Sequence, residues 1–219
     1  SSHNMKKITI PDTNIFLHYD ILSVDWCKEV GVDTVEILVC PTVLKELDEK
    51  KYDANKILVE RATRNLSIIE SHNASKDEIR KNVKISVIVK EPKVEWEKYG
   101  LDSSVKDDRI LGFIKERNNQ DDVLITNDST PRLKGKEIGI SVIKLSCEML
   151  PNPKDEQNKE MEKMQKEIQT LKNKIPELGI KLISEETTEK NLPKYTIKTI
   201  HELSKEEIDN IVSEREQEL

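Results

Sequence analysis

Acidic residues at four separated points constrain the fold of this chain more than any other feature of the sequence. Asp12 follows the apolar run ITIP, and Asp128 stands just after VLIT. Glu46 and the adjacent pair Asp107 and Asp108 share helical faces with apolar neighbours. Apolar runs of this length predict buried strands, so we expect the acids beside them to converge when the chain folds.

Carboxylates that converge repel one another, and burying them without partners is costly. The arrangement therefore favours a divalent cation among the acids. Hard cations such as Mg²⁺ take oxygen ligands, usually a few carboxylates together with water and substrate phosphates. The sequence thus predicts chemistry on a phosphodiester, and a metal-dependent nuclease is the leading interpretation.

The composition predicts a mainly helical or mixed α/β protein with one core domain and an appendage. Of its 219 residues, 36% are charged and 35% hydrophobic, which is enough to build a core. No apolar run approaches the roughly 20 residues that span a bilayer, and the N-terminus lacks the apolar centre of a signal peptide. We therefore expect a cytoplasmic protein that makes no membrane contact. The segment 1–4, ahead of Met5, resembles an expression scar.

Charge and cysteine content narrow the classes of partner. The formal net charge of -6 argues against a protein that wraps duplex nucleic acid by bulk attraction, but it tolerates a short single strand. Cys27, Cys40 and Cys147 are odd in number and never occur in a CxxC spacing, so neither a disulfide framework nor a zinc site is indicated. The histidines are equally scattered and suggest no histidine-based metal site.

Strands alternate with helices along the first two thirds of the chain. We predict strands over 6–11, 36–40, 85–89, 122–126 and 140–144, with helices between most of them. Ser103 or Ser104 is expected to cap a helix whose inward positions include Asp107. Alternation of this kind predicts a parallel sheet with helices on both faces, in which sites form beyond the carboxyl ends of the strands.

The sequence changes character after Leu150, so we divide the chain into a start and scar (1–5), a core domain (6–150) and an extension (151–219). Apolar residues spaced 3, 4, 3 and 4 apart over 161–175 indicate a helix that either docks on its own chain or forms a coiled-coil dimer. The segments IKLI and YTIKTI suggest two short strands. Ser204 and Glu207 form a capping box before a last helix that runs to about Glu216.

Each acid also has an ordinary structural interpretation. Asp12 could cap a helix, and Asp128 could begin a turn. Glu46 could be an exposed helix residue. Adjacent helix residues point about 100° apart, so Asp107 and Asp108 do not face one spot equally, and Asp107 shares the apolar face. Asp107 is therefore the better ligand, while Asp108 is expected at the rim of the metal group.

The motifs DTNIFL, VLKELDEKK, DDRIL and VLITNDSTPRLK, in this order, resemble those of the PIN-domain nucleases, and most closely a larger bacterial PIN-like subgroup. The resemblance covers about residues 6–146. It implies a three-layer α/β/α sandwich, similar to flap endonucleases, that cleaves single-stranded or structured RNA with Mg²⁺ or Mn²⁺. It assigns the four acids of the family's pattern to Asp12, Glu46, Asp107 and Asp128. The same resemblance matches two polar supporting positions to Asn14 and Thr126.

Basic residues near these motifs are candidates for phosphate contacts. We expect Lys50, Arg61, Arg132 and Lys134 to contact the RNA backbone, although a solvated helix face is the ordinary interpretation of the first two. Single-stranded DNA is a further candidate substrate. The biological role, whether toxin, defence effector or processing enzyme, stays open. The extension could mediate a homodimer or bind a protein partner.

Two rival classes remain. Receiver-like signalling domains and haloacid-type phosphatases also cluster acids around Mg²⁺, but the first needs an aspartate on a central strand and the second needs Asp-x-Asp, where this chain has Asn14. The other rival is a catalytically inactive PIN-like module that acts as a scaffold through its extension.

Overall fold

A computed structural model describes residues 3–177 and 204–218. Its strands are β1 (Lys6–Pro11), β2 (Thr34–Val39), β3 (Val83–Val87), β4 (Asp122–Ile125) and β5 (Val142–Ile143). Its helices are α1 (Thr13–His18), α2 (Trp26–Val30), α3 (Pro41–Lys50), α4 (Lys56–Ser75), α5 (Trp96–Tyr99), α6 (Lys106–Arg117), α7 (Ser129–Glu137), α8 (Pro153–Glu177) and α9 (Lys205–Glu218).

The five strands form one parallel sheet in the order β3-β2-β1-β4-β5, and helices flank it. The predicted fold class, an α/β sandwich with a parallel sheet and a helical extension, is confirmed. β1 and β4 contain continuous runs of buried residues because these central strands are covered on both faces, whereas the edge strand β3 alternates buried and exposed residues at its start. Ile10 of β1, Ile37 of β2 and Ile125 of β4 are all fully buried.

The order of the strands reverses between β1 and β4. From β1 the chain proceeds to β2 and β3 on one side, and then returns to place β4 and β5 on the other. Ligand sites of open α/β sheets lie at such a reversal, beyond the carboxyl ends of the strands. Asp12 directly follows β1 and Asp128 is the third residue after β4, so both acids flank the reversal.

Trp26 anchors the connection that follows α1. Trp26 is fully buried, and its indole Nε1–H donates to the carbonyl of Ile21 at 2.9 Å, which satisfies the one polar atom of the ring. Asp25 caps α2 by accepting from the Lys28 amide at 3.2 Å. The acid and tryptophan pair therefore has a structural role in packing this connection onto the core.

The structure differs from the sequence prediction at the start of α6. The N-cap is Val105 and neither serine caps the helix. Ser104 instead donates its amide and its hydroxyl to the carboxylate of Asp102, at 2.8 and 2.7 Å. The local Asx turn satisfies these groups before the helix begins, which is the competition that makes serine and aspartate hard to place from sequence.

The chain divides into two compact units, residues 1–157 and 158–219. In the second unit Ser204 and Glu207 form the predicted capping box, with amide-to-side-chain distances of 3.2 and 3.1 Å, and Lys172 lies 3.8 Å from the Asp209 carboxylate. The predicted strands IKLI and YTIKTI lie outside the described residues. Among the residues described, none of the helices is both long and apolar enough to cross a membrane.

Candidate active site

Asp12 stands at the centre of the carboxyl edge of the sheet. The register of β1 and β4 pairs Pro11 with Ile125, so Asp12 lies beside Thr126, and its amide donates to the carbonyl of Ile125 at 3.0 Å. The carboxylate is 5% exposed and accepts hydrogen bonds from the Ile15 amide at 3.0 Å and from the Thr126 hydroxyl. Asp12 is therefore an N-cap of α1 and a site residue at once.

Burial raises the pKa of the Asp12 carboxyl to about 6, against the bonds from Thr126 and Ile15, which lower it. The negative charges of Asp128 and Asp107 raise the pKa further. An aspartate that is buried among other acids and titrates near neutrality is typical of functional sites.

Asp128 is the exposed member of the group. It occupies the N-cap position of α7, accepts from the Asn14 side-chain amide at 3.1 Å, and donates its own amide to the Thr126 hydroxyl oxygen at 3.2 Å. Thr126 is fully buried and thus joins the two strand-end acids, because it donates to Asp12 and accepts from Asp128. Asn14 and Thr126, the predicted supporting residues, both contact the acids directly.

Glu46 of α3 and Asp107 of α6 complete the group from the helices. Burial is the largest cause that raises the pKa of each carboxyl. The charge of Asp107 raises the pKa of Glu46, and the charge of Asp128 raises that of Asp107. Asp12, Glu46, Asp107 and Asp128, here called the acidic site, therefore lie close enough to repel one another.

Asp108 has a different environment from its neighbour. Its side chain is buried, and both carboxylate oxygens lie against Lys134 Nζ, at 2.7 and 2.8 Å. The amide of Asp102 also donates to it at 2.8 Å. The 100° between adjacent helix positions sends Asp108 towards α7 and leaves Asp107 for the acidic site. These contacts argue against Asp108 as a metal ligand.

The four residues predicted to contact phosphate already contact other groups of the chain. Lys134 forms the ion pair with Asp108, and Lys50 lies 3.2 Å from the Asp53 carboxylate. Arg61 donates to the carbonyls of Leu17 at 3.0 Å and Pro151 at 2.7 Å, and Arg132 lies 3.5 Å from that of Asn127. Arg61 and Lys134 have structural roles that argue against phosphate contact. Lys50 and Arg132 remain predictions.

Two residues beside the acidic site were not selected from the sequence. The hydroxyl of Thr13 is buried and has no hydrogen bond of strict geometry, yet the carboxylate of Glu46 is near enough for Thr13 to lower its pKa. His18 is half-buried, and its pKa is lowered by burial and by Arg61 while Asp128 raises it. The signal for Thr13 was its place in the DTN motif. No sequence signal pointed to His18, because a single histidine at the end of a helix forms no pattern.

The donor set fits a hard divalent cation. Most of its potential ligands are carboxylate oxygens, which hard cations prefer to sulfur or imidazole nitrogen. The buried hydroxyl of Thr13, which has no hydrogen bond of strict geometry, is a further oxygen donor. Over the described residues, however, no three histidine, cysteine, aspartate or glutamate side chains are arranged closely enough to hold a metal ion as they stand. Ligation would therefore require rotation of the half-buried and exposed side chains of Glu46, Asp107 and Asp128 towards Asp12.

An acidic, oxygen-rich site at the strand-order reversal of a parallel sheet is typical of a metal-dependent hydrolase of phosphate esters. The PIN-domain family model matches residues 9–146. The chain belongs to the PIN-domain family, whose members are generally nucleases. That match spans both strand-end acids and both helix acids.

Comparison with solved structures gives a domain of a functionally unknown protein from Methanocaldococcus jannaschii DSM 2661. It is 22% identical, the match covers 64% of this chain and 92% of that domain, and the TM-score is 0.43. No curated protein matches this chain.

Proposed function

We propose that this protein is an endoribonuclease that hydrolyses phosphodiester bonds of single-stranded or structured RNA with Mg²⁺ or Mn²⁺. The observation that carries the proposal is the acidic site, to which the ends of β1 and β4 and the helices α3 and α6 each contribute a carboxylate. In addition to burial, the charges of Asp128 and Asp107 raise the pKa of Asp12, and the charge of Asp107 raises the pKa of Glu46. Repulsion between these charges lowers the stability of the fold, and a catalytic role in a nuclease would explain why the charges are present together.

Each residue of the acidic site has a defined task in this proposal. Asp12, Glu46, Asp107 and Asp128 would hold the cation through their carboxylate oxygens. When bound, the cation supplies Lewis-acid activation of water and neutralises charge on the leaving oxygen. Asn14 and Thr126 fix the orientation of Asp128 and Asp12 through the hydrogen bonds described above.

The pKa of Asp12 bears on the working range. With a pKa of about 6, the carboxyl is ionised at neutral pH and available as a ligand, and it is protonated in mild acid. A bound cation favours the ionised form and therefore lowers this raised pKa. Cleavage is therefore expected to fail as the pH falls below about 6, and higher cation concentrations should move that limit down.

Cleavage of labelled single-stranded RNA in Mn²⁺ tests the proposal. The native chain is expected to yield products with 5′ phosphates, and Asp12→Asn is expected to lose cleavage by at least 10²-fold, on the order seen when one charged group of an active site is removed. Asp121→Asn is the matched control, because Asp121 is exposed beside the start of β4, at the opposite end of the sheet. Cyclic phosphate products, or equal cleavage by Asp12→Asn, would contradict the proposal.

A binding or scaffold module is the second candidate, and exposed apolar residues favour it. In the second unit Met161 and Ile211 are each 51% exposed and Leu171 is 42% exposed, which leaves apolar surface for a partner or a second copy. The same assay separates the candidates. A folded native chain that binds RNA or protein but cleaves neither RNA nor single-stranded DNA in Mn²⁺ would favour the scaffold.

A further inference from the structure

A small cavity lies between α3, α6 and the segment that follows β3. Its volume is about 130 Å³, and its apolar walls are Pro41, Pro92, Trp96 and Phe113. The chain holds only two tryptophans and two phenylalanines, and one of each lines this cavity. Flat rings and prolines leave a space suited to a planar, partly apolar group.

The position of the cavity links it to the acidic site. Thr42 lines the cavity and precedes Glu46 by about one turn of α3, or about 6 Å along the helix axis. Arg109 lines it from α6, two residues after Asp107 and therefore on a different face of that helix. The same two helices supply one acid each to the acidic site and one residue each to the cavity, and the turn of α3 between Thr42 and Glu46 is the link between the two sites.

The size of the cavity selects among the parts of a nucleotide. Sites that enclose a whole drug-sized molecule measure about 300–1,000 Å³, well above the volume here. A sugar and phosphate with their base would not fit, whereas a single heterocycle would. Stacking of a base on an aromatic side chain is a common basis of single-strand binding.

Two charged side chains define the polar edge. Arg109 donates Nε–H to the carbonyl of Ser103 at 2.6 Å, which holds the guanidinium at the cavity and leaves its terminal nitrogens as donors. Glu91 supplies an exposed carboxylate, which is an acceptor. In the described part of the chain no ion pair joins Glu91 to Arg109. A donor and an acceptor are thus presented together to whatever occupies the cavity.

We propose that this cavity, here called the base cavity, binds a guanine base of the RNA strand. Guanine presents its ring N–H and its exocyclic amine side by side to the two oxygens of one carboxylate, and its carbonyl oxygen accepts from a guanidinium. Adenine, cytosine and uracil each offer only one N–H-bearing group on this edge, so they form one hydrogen bond fewer to the carboxylate. This inference rests on the proposed function, because it names a base preference of that nuclease.

Gly112 shows how the aromatic wall is held. A Cβ at this position would lie 2.5 Å from Cζ3 of Trp96, so the indole packs directly on the backbone of α6. The ring is thereby fixed beside Phe113 on the same helix. A fixed aromatic wall costs little entropy when a base stacks on it.

Quenching of tryptophan fluorescence by nucleoside monophosphates tests the proposal without cleavage. The four monophosphates share one phosphate and sugar, so their differences report the base, and a chelator removes divalent cations. Trp26 is fully buried and supplies a constant background, while Trp96 is the responsive ring. GMP is expected to quench at the lowest concentration. AMP, CMP and UMP are expected to quench weakly.

The substitution Glu91→Gln keeps the size of the side chain and removes its charge. It is expected to weaken GMP binding about tenfold, because charge-assisted hydrogen bonds to the base are lost. Glu116→Gln on the exposed surface of α6 is the matched control and should leave binding unchanged. Equal quenching by all four monophosphates, or unchanged GMP binding in Glu91→Gln, would overturn the base preference.

Cleavage of oligoribonucleotides that differ at one base separates this inference from the proposed function. If RNA is cut without preference for guanine, the nuclease stands and the base cavity fails. If GMP quenches selectively but no RNA is cut, the base cavity stands and the nuclease fails. If the preference is present and Glu91→Gln loses it while cutting other sequences at the native rate, both stand.

Discussion

The adjacent acids of α6 are expected to respond in opposite ways to the same substitution. Asp108→Asn removes a charge whose carboxylate is 2% exposed and which pairs with Lys134. Breaking a buried ion pair costs about 3–5 kcal/mol, but the lysine side chain is 36% exposed and regains some hydration. The asparagine oxygen can still accept from the Asp102 amide. We therefore expect the free energy of unfolding to fall by about 2–3 kcal/mol.

Asp107→Asn should not destabilise the chain. Burial and the charges of Asp128 and Asp108 raise the pKa of the Asp107 carboxyl, so its ionised form is disfavoured in the folded state. Removing that charge relieves the repulsion, and the variant is expected to be at least as stable as the native chain. Its cleavage of RNA should be lost, because the acidic site loses a carboxylate.

Urea unfolding at pH 7.5 in a chelator, followed by RNA cleavage in Mn²⁺ for each folded variant, measures both effects. A typical domain has only about 5–15 kcal/mol of stability, so the loss in Asp108→Asn should shift the midpoint clearly. Asp121→Asn provides the control for an exposed aspartate. The reasoning would be refuted if Asp107→Asn were the less stable of the two, or if Asp108→Asn unfolded like the native chain while cleavage was lost.

Four further predictions follow from the contacts. The pKa of Asp12 is near 3.8 in the unfolded chain and about 6 in the folded chain, so the unfolded chain loses this proton first as the pH rises. The stability that this group contributes is therefore present below about pH 4 and is lost as the pH rises to about 6. Urea titrations at each pH should show that the metal-free native chain loses about 3 kcal/mol of unfolding free energy that Asp12→Asn does not lose. Mn²⁺ at 100 times its dissociation constant should stabilise the native chain by about 2.7 kcal/mol in thermal melts and leave Asp12→Asn unchanged. Gly112→Ala should destabilise by about 1–3 kcal/mol and shift Trp96 fluorescence, because the new methyl group meets the indole; an unchanged emission spectrum would contradict the packing. Arg61→Met should cost about 2 kcal/mol in urea unfolding and increase proteolysis near Pro151, whereas unchanged proteolysis would show that the guanidinium does not hold that segment.

The parallel sheet was predictable because its strands are continuous apolar runs. Burial on both faces removes alternation, so ITIP and VLIT remain distinct from the amphipathic helices between them. Their carboxyl ends place Asp12 and Asp128 without knowledge of any loop. The family assignment needed the order of four motifs in addition, since each acid by itself has an ordinary structural role.

The roles of the basic residues were not predictable in this way. Lys134 and Arg61 lie near the acids in sequence or in space, and charge alone suggested phosphate contacts. Their partners, Asp108 and the carbonyl of Pro151, come from elements 26 and 90 residues away, and no local pattern encodes such pairs. Ser104 was misplaced for a different reason, because its local turn with Asp102, two residues away, competes with helix capping.

The acidic site draws its members from parts of the fold with different local stability. Asp12 and Thr126 are joined through paired central strands, where amide exchange with solvent normally requires global unfolding. Glu46 and Asp107 lie on α3 and α6, which are held to the sheet by side-chain packing and not by the hydrogen bonds between strands. Slow amide exchange at Asp12 and Thr126 with faster exchange at Glu46 and Asp107 would mean that the helices leave the acidic site before the sheet unfolds. A cation bound at the acidic site would then stabilise the helices against local opening.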